Sequence, residues 1–100
     1  MPDERLMDVS SDEPPADFTA PQKALWWLRK GDLGLGPEWE RAHMICQEAE
    51  GQKTHDWIHA LCHLIEGDLG NAAYWFRRAE QPPGATDPKE VWERIAAAYG

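Results

Sequence analysis

Three of the four histidines, His55, His59 and His63, stand four residues apart, and Glu66 follows three further on. At 100° per residue these four fall within an arc of about 80° on one α-helix, so a single face would carry three imidazoles and a carboxylate. Two imidazoles at i and i+4 can chelate one divalent metal ion, and a carboxylate one turn on can complete a two-His-one-carboxylate set. His59, His63 and Glu66 are the candidates for that set, and His43, on the preceding helix, is a further ligand if the two helices face each other.

The same face has plainer readings. An amphipathic helix normally turns a polar stripe to water, here opposite Trp57, Ile58, Leu61, Leu64 and Ile65. Tyr74 and Arg78, four apart and so on one face of the next helix, offer another. They would join His59, His63 and Glu66 in a buried hydrogen-bonded network, or line a small-ligand pocket with them. The H-E-x-x-H metalloprotease pattern fails, because Asp56 stands where its glutamate belongs.

Other catalytic patterns are missing. Ser10 and Ser11 are the serines, both in an acidic stretch near the N-terminus. Cys46 lies one turn beyond His43 on the same helix, a poor geometry for Cys–His attack. The run Gly31–Gly36 has no following Lys-Ser/Thr and no preceding strand, so it reads as a turn and not a phosphate loop. The balance leans away from an enzyme, with no cofactor expected beyond a divalent metal ion.

Helices must position these residues. Pro21 suits a first helical turn after Thr19 or Ala20, and that helix reaches about Lys30 before Gly31 and Gly34. Pro37 opens a second helix that ends at Gly51. Thr54 is placed to cap a third, which runs to Glu66 and stops at Gly67. Asn71 is placed to cap a fourth, and Pro82-Pro83-Gly84 forbids its continuation. Asp87-Pro88-Lys89-Glu90 is a capping-box pattern opening a fifth helix that reaches Tyr99. No alternating β-rich run appears, so the fold class is all-α: about five helices in antiparallel hairpins.

Leu25-x-x-Leu28-x-x-Gly31-Asp32-Leu33-Gly34 recurs as Leu61-x-x-Leu64-x-x-Gly67-Asp68-Leu69-Gly70, an offset of 36 residues suited to helix–turn–helix repeats. In the second unit Ala60, Gly67, Ala72, Phe76 and Ala79 stand at tetratricopeptide-repeat spacing, with Pro82 and Pro83 near the family's proline. The chain thus resembles a short tetratricopeptide-repeat array. His59 and His63 replace apolar packing residues of that family. Two units also fall short of the three or so a solenoid needs, so a compact bundle or a dimer is implied. The stretch from Trp57 to Arg78 also resembles a family of small, uncharacterised bacterial proteins, which implies a fold and no activity.

Composition narrows the partners. The net charge is −8 and no basic block exists, so nucleic acid and anionic membrane surfaces are not expected. No apolar run approaches a membrane span and the N-terminus is acidic, which points to a cytoplasmic protein. Cys46 and Cys62 read as buried free thiols. Residues 1–18, acidic and poor in apolar side chains, read as a disordered arm before a single domain over 19–100. Six tryptophans are many for this length, and adjacent Trp26 and Trp27 point about 100° apart. At least one of Trp26, Trp27 and Trp92 is therefore expected at the surface, as an interface anchor. The leading expectation is a non-enzymatic module that docks a protein partner or a second copy of itself. The alternative is a metal or small-ligand site at the His/Glu cluster.

Overall fold

A computed structural model describes residues 3–99, and among them the regular structure is entirely helical. Five α-helices follow a short 3₁₀ turn at Glu4–Met7: α1 Ala20–Lys30, α2 Pro37–Gln47, α3 Lys53–Ile65, α4 Leu69–Arg78 and α5 Pro88–Tyr99. Thr19 closes a full capping box with Gln22 at the start of α1. Two caps differ from expectation. α3 begins at Lys53 rather than after Thr54, and the Asp56 carboxylate in its first turn holds the Gly51 N–H at 3.0 Å. Asp68, not Asn71, caps α4, accepting from the Asn71 backbone and side chain.

The turn after α3 is closed by the Asp68 N–H donating to the His63 carbonyl and the Gly67 N–H to that of Leu64, with Gly67 at φ 82°. The turn after α1 uses the equivalent bond from the Leu33 N–H to the Leu28 carbonyl, with Asp32 and Leu33 both at φ 55°. The capping thus repeats after 35 residues, one fewer than the sequence motif, and only the second copy puts glycine at the left-handed position. A Cβ at Gly67 would meet nothing within 4 Å, so Gly67→Ala isolates the backbone term. It should cost about 1–2 kcal/mol, read as a fall of several degrees in Tm.

α1 packs on α2, α3 on α4, and α2 on α3, while α5 lies against α3 and α1. α3 therefore touches all four other helices. Every residue from His55 to Cys62 is buried, including Asp56 and the imidazoles of His55 and His59, which the amphipathic reading turned to water. Indole N–H groups tie the layers together. Trp92 donates to the Leu25 carbonyl at 2.8 Å, and Trp39 to the Cys62 carbonyl at 2.9 Å.

The stretch expected to be a disordered arm lies, from residue 3 onward, against α1; Met1 and Pro2 are outside the described residues. Leu6 and Phe18 enter the common core. The Trp26 indole donates to the Asp8 carbonyl, and Lys30 Nζ donates to the carbonyls of Val9 and Ser11. Arg5 bridges Asp3 and Asp17. That segment covers Trp26, and the Arg41 guanidinium sits 4.7 Å from the Trp27 ring centroid. As a result Trp26, Trp27 and Trp92 are 1%, 8% and 4% exposed, and none is a surface anchor. Cys46 and Cys62 are buried free thiols, as expected. No helix among the described residues is long and apolar enough to cross a membrane.

Candidate metal centre

The contact between α2 and α3 brings His43 to His59, with the two Nε2 atoms 3.1 Å apart. His63, one turn beyond His59, completes a group in which one nitrogen from each ring lies within 4.8 Å of the others. Two ligands about 2.05 Å from a common ion stand about 2.9 Å apart at a right angle and about 3.3 Å apart at the tetrahedral angle. The His43–His59 separation already falls between those limits.

His63 is held from behind. Its Nδ1 meets Glu66 Oε1 at 2.5 Å, a pairing that leaves Nε2 as the free nitrogen. Two indoles wall the cluster. Trp39, four residues before His43, stacks on its ring at 4.7 Å, and Trp75 of α4 stacks on His59 at 4.0 Å. His43 stands edge-on to both His59 and His63, while those two rings lie nearly parallel.

Burial, followed by the neighbouring His43, His63 and Arg78, pushes His59 down to about 3. Burial also lowers His43; the His63 ring adds to the effect and the Glu66 and Glu50 carboxylates oppose it. Both rings are thus neutral near pH 7, with lone pairs free of protons. Two neutral imidazoles can share only one hydrogen between facing Nε2 atoms. The buried Nδ1 of His59 has no partner.

The chain matches no family model, no curated protein and no solved structure.

Of the expected site residues, His43, His59 and His63 converge, and Glu66 supports one of them. Tyr74 and Arg78 do not join them. Tyr74 is half exposed and accepts a hydrogen bond from Arg78, whose guanidinium lies over the opposite wall residue Trp75 at 4.8 Å and reaches Asp56 at 3.8 Å. The helix presents Trp75 to α3, about 100° from Tyr74, so the spacing argument chose the wrong face of α4. His55 is buried apart from the cluster, its Nδ1 also unpartnered. Glu66 forms a second, more exposed group with His63 and Asp68, but Asp68 is engaged in capping α4. Sequence reasoning missed Trp39 and Trp75 as site walls; the i, i+4 spacing of Trp39 and His43 was the available signal.

Glu66 fixes the tautomer and direction of His63. Glu66→Gln should lower Zn²⁺ affinity about 10- to 100-fold, the usual effect of losing a carboxylate behind a metal-ligating imidazole. Competition titration against a chromogenic chelator measures it, with an unchanged metal-free Tm showing that the fold is intact.

Proposed function

We propose that this protein binds one divalent transition-metal ion through His43, His59 and His63, with Glu66 orienting His63. The observation that carries the reading is the convergence of three imidazoles from two helices, one pair already at the separation two nitrogens take on a shared ion. An all-nitrogen donor set suits Zn²⁺, Co²⁺, Ni²⁺ and Cu²⁺ over Mg²⁺ or Ca²⁺. Docking through exposed aromatics, the other role considered, would have to use residues other than Trp26, Trp27 and Trp92, which are buried.

The test is elemental analysis of untagged protein equilibrated with Zn²⁺, paired with thermal melts. One Zn²⁺ per chain is expected. At a free concentration near 100 times Kd, the stabilisation is about 2.7 kcal/mol, or roughly 10–20 °C for a domain of this size. Substoichiometric metal and an unmoved Tm would refute the reading.

A further inference from the structure

Among the described residues the inward group holds three nitrogen donors and no fourth histidine, cysteine or carboxylate within the same reach. The nearby candidates are occupied elsewhere. Glu66 is on His63 Nδ1, and Asp56 is buried against the Gly51 N–H and the Arg78 guanidinium. Cys46 and Cys62 lie one turn beyond His43 and His59, fully enclosed in the core and outside the group. Three imidazoles fill only three of the four positions of a tetrahedral ion, and none of these ligands carries a negative charge.

The cluster is also not sealed. His59 lies beneath the surface at 3% exposure, but His43 and His63 are only partly buried. Trp39 and Trp75 stack on His43 and His59 and close the flanks, so the side bearing His43 and His63 is the one that meets solvent. An ion held by these three nitrogens would present its remaining position there. Sites of three protein ligands on a surface cleft, with a fourth position left to an exogenous donor, are those that exchange ligands rather than serve as structural clamps.

We propose that the bound ion keeps one coordination position open to solvent and takes a small monoanion there, hydroxide included. The carboxylates of Glu66 and Asp68 stand beside His63, and their repulsion opposes a multiply charged anion more strongly than a singly charged one. This inference rests on the metal reading proposed above.

Co²⁺ substitution separates the two. Quenching of tryptophan fluorescence, from Trp39 and Trp75 beside the ion, and metal content report binding. The visible absorption of the Co²⁺ protein reports its ligands. Azide is then titrated into the loaded protein, with light scattering to record the molecular mass. The expected result is a shift in the visible bands that saturates at one azide per Co²⁺ in a monomer. Stoichiometric Co²⁺ with bands that azide does not move would overturn the open position and leave the metal site standing. So would a Co²⁺-dependent dimer with azide-insensitive bands, because a second copy would then supply the fourth ligand. Failure to bind Co²⁺ would overturn both.

Discussion

His59→Leu should abolish the Zn²⁺-dependent rise in Tm while leaving the metal-free Tm within about 5 °C of wild type, a change below about 1 kcal/mol. The two halves of this result come from different features of one residue. His59 supplies the central nitrogen of the group, within 3.1 Å of His43, and without it the remaining pair loses its shared ion. Loss of one of three protein ligands should weaken Zn²⁺ binding at least 100-fold. In the metal-free protein, however, the ring contributes little that leucine lacks. Its Nδ1 is buried without a partner, and its Nε2 contact is to His43, which is partly exposed and can turn to water. Removing an unsatisfied buried polar atom offsets the loss of one neutral hydrogen bond and of the stack on Trp75. A purely structural histidine behaves in the opposite way. If His59→Leu lowered the metal-free Tm by more than about 10 °C, the cluster would be a packing device.

Acid should destabilise the metal-free protein through its buried histidines. Burial depresses His59 to about 3 and lowers His43 and His55, whereas all three titrate near 6.5 when unfolded. The unfolded chain therefore binds more protons than the folded one below pH 6.5. Stability is complete above that value and declines as the pH falls, until His59 is protonated in the folded state as well, near pH 3. Each fully buried histidine gives a slope of up to about 1.4 kcal/mol per pH unit; His43, partly exposed, gives less. Urea denaturation at pH 7 and pH 5 should thus show a loss of about 1–3 kcal/mol for wild type, and His59→Leu should remove the larger share. The window is separable from that of the carboxylates, whose ordinary titration lies near 3.8 and whose shifted members Asp3, Asp8, Asp17 and Asp68 are at the surface. Equal stability at pH 7 and pH 5 would show that His59 is protonated and accommodated in the folded state.

The helices were legible because glycine and proline punctuate the chain and each signal acts locally. Pro21, Pro37 and Gly67 all act within one turn. Features that depend on what another element supplies were not legible. Residues 3–18 carry few apolar side chains, but the donors that fasten their carbonyls, Trp26 and Lys30, belong to α1. Composition counts the segment's own resources and not those of its partner. The same covering buries Trp26, so an indole expected outside is inside. α3 shows an amphipathic pattern, yet four neighbours enclose it, and its polar stripe faces α2 and α4 rather than water. The spacing of His59, His63 and Glu66 pointed to the cluster, and hairpin proximity pointed to His43. The rotation of α4, which exchanges Tyr74 for Trp75 at the site, is set by packing against α3 and has no counterpart in spacing alone.

X-ray absorption at the zinc edge of the stoichiometric complex tests the central claim most directly. A shell of light donors near 2.0 Å with outer-shell scattering from three imidazoles is the predicted result, and His63→Ala should reduce that count to two. A shell of oxygen donors, or one imidazole at most, would contradict the assignment of His43, His59 and His63 as the metal ligands.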